Sequence, residues 1–248
     1  MRRILPVAFG LPIGLGLLLG VEVWHAIAAE RLPEREPFDL DTRIDGPGET
    51  LRIAWVGDSV AAGVGASGPD AALPRLVARG VGRAVDLHVF AVSGDRAADA
   101  LSDQLPRLEA LRPAPDVVVV EIGANDVTRL TSVFDFRRTY DAILARASRL
   151  GARHVLALGT PAFGATPRFL QPLRAIAGWR SRRLDAEVRA SAAAFGATYV
   201  DIAGPTGHGF AADPEGTHAT DRFHPSDAGY ELWSDAVLDA LLPLLARG

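Results

Sequence analysis

The chain contains no cysteine. That excludes disulfides, cysteine nucleophiles, cysteine-ligated zinc and iron–sulfur clusters. It also lacks any cluster of basic residues. The arginines are spread among acids and the formal net charge is −4, so neither a nucleic-acid footprint nor a polybasic membrane patch is present. No repeat of solenoid length is visible. With 48% hydrophobic and 23% charged residues, the composition is not that of a disordered or fibrous chain, and it allows a sizeable core.

Charge is missing locally as well. After Arg2 and Arg3, nothing charged occurs from Ile4 to Val21. Such a leader reads as a targeting segment rather than part of the fold. Ala26-Ile27-Ala28 fits a signal-peptide cleavage site, whereas the length of the apolar run approaches that of a bilayer span. Residues 1–29 are therefore expected to be a signal peptide or an N-terminal membrane anchor. Everything after Trp24 would then lie outside the cytoplasm, secreted or membrane-anchored. The paired arginines lack the flanking pattern of a twin-arginine signal. Residues 30–50 hold ten charged residues, three prolines and two glycines, and read as a linker. The domain is expected over 51–248.

Within it, strand-like runs at 51–57, 85–92, 116–123, 154–160 and 197–203 alternate with helical spacing at about 69–82, 95–111, 133–150, 172–195 and 226–246. Several of the strands are almost continuously apolar, as strands covered on both faces are. The pattern predicts a single three-layer α/β/α domain around a five-stranded parallel sheet.

Four short stretches carry possible chemistry. "VGDSVAAG" (56–63) puts Asp58 and Ser59 directly after the first strand. Either residue could cap a helix, or Ser59 could be a nucleophile at the carboxyl edge of the sheet. "TDRFHPSDAG" places Asp221 three residues before His224. An acid there could hold one ring nitrogen while the other faces a nucleophile, although Ser226 and Asp227 also read as a helix entry. "EIGAND" (121–126) puts Asn125 at the same edge, where an amide could donate to a developing oxyanion or simply form a turn. "AVSGD" brings Gly94 after the second strand, with a main-chain N–H that a ligand could approach closely.

Taken together, "GDS" (57–59), Gly94, "GAND" (123–126) and "DRFHP" (221–225) resemble the motifs of the SGNH hydrolases, also called the GDSL esterase/lipase family. They extend over nearly the whole domain, and their joint occurrence is far more specific than any one of them. The resemblance implies a flavodoxin-like sheet of order 2-1-3-4-5. It also implies a triad of Ser59 as nucleophile, His224 as base and acid, and Asp221 orienting it. The oxyanion hole would be the N–H groups of Ser59 and Gly94 with the Asn125 amide. Two features depart from the family: the strand end before Gly94 reads "FAVSG" where many members have Asn, and Arg96 stands where a small hydroxyl residue is common.

Other readings compete. "GVGASG" (63–68) matches a dinucleotide motif by letter, but it does not follow the strand directly and no acid ends the second strand. Ala61 breaks G-x-S-x-G, so the α/β-hydrolase elbow is not the pattern. His218, Asp221 and His224 could bind a metal, but their spacing is not that of helical zinc sites, and no metal or cofactor is expected. His208 reads as part of a Gly-rich loop, His88 and His154 as strand residues, and Trp179 and Trp233 as core. Asp58 and Asp126 read as backbone-fixing acids. The expected function is an exported serine ester hydrolase acting on short acyl or acetylated saccharide esters. The alternatives are an envelope acyltransferase using the same acyl-enzyme, or a non-catalytic acyl-glycan-binding domain.

Overall fold

The strand Val117–Glu121 is buried along its whole length. A segment apolar on both faces has to be covered on both, and that requirement organises the domain. The computed structural model describes residues 7–29, 31–33 and 36–247. In chain order its strands are β1 Thr42–Ile44, β2 Leu51–Gly57, β3 Val85–Val89, β4 Val117–Glu121, β5 His154–Leu158 and β6 Thr198–Val200. They form one sheet of order β1-β3-β2-β4-β5-β6. The five strands from β2 to β6 pair in parallel, in the expected order, and β1 lies antiparallel to β3 at the edge.

β1 corrects the reading of residues 30–50 as linker. Leu40 is buried and Phe38 packs on the core, while the Asp41 carboxylate accepts the Val89 N–H at 2.7 Å. A three-residue strand is too short to show periodicity in a charged stretch, yet it covers the exposed edge of β3. The ordered domain therefore begins upstream of Leu51.

The helices are α1 Val7–Ala28, α2 Leu73–Gly80, α3 Ala97–Asp99, α4 Leu105–Ala110, α5 Ala124–Thr128, α6 Val133–Ser148, α7 Leu173–Phe195, α8 Ala203–Ala212 and α9 Asp227–Leu245. A wide π-type turn, Ala100–Gln104, joins α3 to α4. α2 and α9 cover one face of the sheet, with Tyr230, Trp233 and Val237 of α9 meeting Ile53 and Trp55. α4, α6 and α7 cover the other, where Leu105, Tyr140 and Leu184 meet Val118 and Val120.

Three further expectations change. His208 lies in α8 rather than a loop; glycine and proline in "AGPTGHGFAA" hide that helix from propensity. Trp233 is core, but Trp179 is 53% exposed with the Arg183 guanidinium over its ring. The carboxyl half of α1 is also docked on the domain. Buried Glu22 accepts the Leu173 N–H at 2.8 Å at the start of α7. Among the described residues no helix is long and apolar enough to cross a membrane. Residues 1–6 of the expected leader lie outside the described residues.

Candidate active site

The site forms where three neighbouring strands end. β2 lies between β3 and β4, so the segments after these strands emerge side by side at one edge. Leaving β2, the chain turns at Gly57, whose Cα sits so close to β4 that an added Cβ would meet the Glu121 carbonyl at 2.4 Å. The turn then coils: the Ala62 N–H reaches Asp58 O and the Val64 N–H reaches Ser59 O. Ser59 is held at the centre of the edge and is largely buried.

The loop before α9 approaches from the opposite side. The His224 Nε2 lies 3.0 Å from Ser59 Oγ, and its Nδ1 lies 2.6 Å from Asp221 Oδ2. Asp221 Oδ1 accepts the N–H groups of Phe223 and His224, each at 3.0 Å. Burial works against the Asp221 charge, yet His224 and these main-chain donors hold the carboxyl below its usual range. With Nδ1–H given to Asp221, Nε2 is left as the acceptor facing Ser59. The loop is fixed through α9, where Ser226 caps the helix and the Tyr230 hydroxyl donates to Val64 O at 2.6 Å. Asp227 takes the Ser67 N–H and hydroxyl. The glycine-rich 63–68 stretch thus docks the histidine loop, and its likeness to a dinucleotide motif is by letter only.

Gly94 and Asn125 complete the edge. Gly94 has φ of +91°, a conformation that a side chain would strain. Asn125 opens α5 directly after β4, and its amide donates one N–H to Asp95 O at 3.0 Å. That bond fixes the amide, and among the described residues nothing claims its second N–H. The six groups named from the sequence (Ser59, His224, Asp221, and the N–H donors of Ser59, Gly94 and Asn125) therefore lie on converging segments.

The acids behave differently from one another. Asp126 accepts the Ala97 N–H at 2.9 Å and Asp58 accepts that of Val60 at 3.2 Å, both backbone contacts. Asp58 Oδ2, however, is buried with no hydrogen-bond partner among the described residues. Glu121 faces it from β4 and accepts the Ala61 N–H at 3.1 Å. Burial pushes Asp58 from 3.8 to about 6, and burial followed by the Asp58 charge pushes Glu121 well above the carboxylate range. Two carboxylates without a cation cannot both ionise in a dry site. Held protonated, Glu121 can donate a hydrogen bond to the Asp58 carboxylate. Sequence reasoning missed this pair, and it missed Gln104, whose buried amide sits on an otherwise apolar helix face.

His218 stands apart from the Ser59–His224–Asp221 chain of hydrogen bonds, with Nδ1 2.8 Å from Pro214 O and its ring edge-on to Phe210. Among the described residues, no three His, Asp or Glu side chains are grouped to hold a metal ion.

Two grooves and a small cavity open at the site. The cavity, about 40 Å³, lies beside Ser59 between Phe163, Phe210 and Phe223. One groove of about 720 Å³ runs past Asn125 and His224, and the other past Gly65 and His218.

Residues 55–232 match the GDSL-like Lipase/Acylhydrolase family. The GDSL-like esterase Rv1075c of Mycobacterium tuberculosis is 29% identical over 99% of this chain and 74% of its own length. Among solved structures, TesA superimposes with a TM-score of 0.63 at 24% identity, covering 78% of this chain and 99% of TesA. Axe2, an acetylxylan esterase from Geobacillus stearothermophilus, does so with a TM-score of 0.60 at 18% identity, covering 79% and 95%. The structural likenesses show a shared SGNH hydrolase fold. With the family matched across most of the domain, the chain belongs to the GDSL-like lipase/acylhydrolases and is an ester-cleaving serine hydrolase.

Proposed function

We propose that the protein is an exported esterase that cleaves short acyl or acetylated saccharide esters through a Ser59–His224–Asp221 triad and an acyl-enzyme. The observation that carries this reading is the continuous chain Ser59 Oγ to His224 Nε2 at 3.0 Å and His224 Nδ1 to Asp221 Oδ2 at 2.6 Å. Ser59 Oγ attacks the ester carbonyl carbon while His224 takes its proton. The N–H groups of Ser59, Gly94 and Asn125 receive the oxyanion. Collapse breaks the carbon–oxygen bond to the alcohol, which leaves with the proton from His224. Water then attacks the acyl-enzyme and gives its proton to His224. Release of the acid returns that proton to Ser59.

The 40 Å³ cavity beside Ser59 supports a short acyl group, since it holds only a few heavy atoms. The similarity to an acetylxylan esterase points the same way. Export rests on the uncharged stretch Ile4–Val21 behind Arg2 and Arg3.

Hydrolysis of p-nitrophenyl esters from acetate to laurate by the full-length chain in detergent, beside Ser59→Ala, tests the reading. Activity falling with chain length and lost in Ser59→Ala is expected. Equal rates in both proteins would end the serine mechanism. Acyl transfer to added saccharide in place of hydrolysis would make the protein a transferase.

A further inference from the structure

The two grooves at the site differ sharply in charge. The groove past His218 is edged by Glu36, Glu215 and Asp227. The groove past Asn125 is lined by Arg31, Arg129, Arg168 and Arg180, and among the described residues Asp221 is the one acid in its lining. Asp221 is already committed to His224. A chain of net charge −4 thus presents a cationic groove next to its nucleophile.

Arg129 lies beside the proposed oxyanion loop. It follows α5, the helix that Asn125 opens, and its guanidinium hangs over Gly94: a Cβ on that glycine would begin 3.6 Å from Arg129 Nη2. Among the described residues nothing accepts a hydrogen bond from this guanidinium, and it forms no ion pair. Asp99, the acid it influences at longer range, is held by Arg96. Arg180 differs, because the carbonyls of Val127, Asp126 and Thr131 fix it; they orient its charge without neutralising it. Around these charges the walls are apolar, from Leu130, Phe169 and Ile176.

An exposed arginine is most often only a solvated charge. Here it overhangs the proposed oxyanion loop within a groove lined by three further arginines. A planar donor fork in such a place suits a carboxylate or phosphate.

We infer that this groove binds the alcohol portion of the substrate, that this portion carries an anionic group, and that Arg129 is the specificity-determining residue that pairs with it. The inference rests on the serine esterase reading and extends it to the substrate. The small acyl group enters the cavity beside Ser59, and the alcohol oxygen leaves toward the groove with its anion against Arg129.

The test compares 3-acetoxybenzoate with its uncharged methyl ester, and 3-acetoxyphenyl phosphate with its dimethyl ester, using the full-length protein. The expected result is a preference for at least one anion over its neutral partner of about tenfold in kcat/KM at low salt, shrinking as salt is added. Which anion is favoured separates a carboxylate substrate from a phosphate one. In Arg129→Gln the preference falls to within about twofold, whereas Arg183→Gln, on the outer face of α7, retains it. A wild-type protein with no preference in either pair, or Arg129→Gln with the preference intact, overturns the inference. Methyl-ester hydrolysis lost in Ser59→Ala upholds the esterase reading independently of either result. If aryl acetates are not turned over, calorimetric binding of both anions to Ser59→Ala decides the matter: binding abolished by adding Arg129→Gln supports the inference, and binding that is absent or unaffected contradicts it.

Discussion

Both main-chain polar groups of Gly57 are held by one side chain: Gln104 accepts its N–H and donates to its C=O, each at 2.8 Å. The same amide nitrogen donates to Asp95 Oδ2 at 2.8 Å, and the Asp95 carbonyl accepts from Asn125. One fully buried glutamine thus ties the strand end that carries Ser59 to the amide proposed for the oxyanion hole. Gln104→Ala would leave the buried Gly57 N–H unsatisfied, at a cost of about 1–3 kcal/mol, while the Gly57 C=O keeps the Val92 N–H at 3.2 Å. Thermal unfolding should show that loss. Turnover measured well below the melting point should show kcat falling more than KM rises. A variant that is destabilised but has full kcat would make Gln104 structural only.

Asp221 holds His224 through a short side-chain bond and holds the loop through two main-chain bonds. Asp221→Asn preserves the shape but presents an N–H to Nδ1, which turns the ring to the tautomer unable to accept the Ser59 proton. A loss on the order of 10³–10⁴-fold in kcat is expected. Asp126→Asn, by contrast, perturbs the contacts to Ala97 and Thr131, away from His224, and should act on stability. Steady-state kinetics on both variants separate the two acids.

Asn125 should act on the barrier and not on substrate affinity. Removing one oxyanion donor costs roughly 3–4 kcal/mol, so Asn125→Ala should lower kcat by about 10²–10³-fold with little change in KM. Near-normal kcat would remove Asn125 from the oxyanion site.

The Asp58–Glu121 pair predicts a pH dependence of stability. Asp58 is raised from 3.8 to about 6 in the fold, mainly by burial, and Glu121 is raised as well. A carboxyl raised on folding binds its proton more tightly in the native state. Its contribution is therefore complete below about pH 4 and lost as the pH rises through about 6. Glu121→Gln keeps a donor toward Asp58 and removes one ionisation. Urea unfolding at pH 5 and pH 8 should show the wild type losing stability relative to Glu121→Gln over that interval. Parallel behaviour of the two proteins would mean that the pair does not share a proton.

Much of this architecture is legible from the chain, for physical reasons. Strands buried on both faces read as apolar runs, and "VVVVE" is found at the middle of the sheet. Ser59, Gly94 and Asn125 each follow such a run, so placing the strands places those residues along one edge. His224 is reached through the motif that precedes a strongly periodic helix. What stays hidden depends on partners distant in sequence. β1 is three residues long and exists only against β3. α8 is built from residues with weak helical preference. Glu121 looks like the end of a strand until Asp58 is placed beside it, and Gln104 looks like an ordinary helix residue until Gly57 lies against it. Trp179 follows the helical period yet is turned to solvent, since periodicity marks a face without saying what covers it.

The central claim is that Ser59 is the nucleophile and His224 its base. Its most direct test is the intact mass of the full-length protein after treatment with a p-nitrophenyl alkylphosphonate, which traps an activated serine. A single adduct located on Ser59 by peptide mapping, absent in Ser59→Ala and formed orders of magnitude more slowly in a folded His224→Ala, is the predicted result. Labelling of Ser59→Ala at the wild-type rate, or of another residue in the wild type, would contradict the claim.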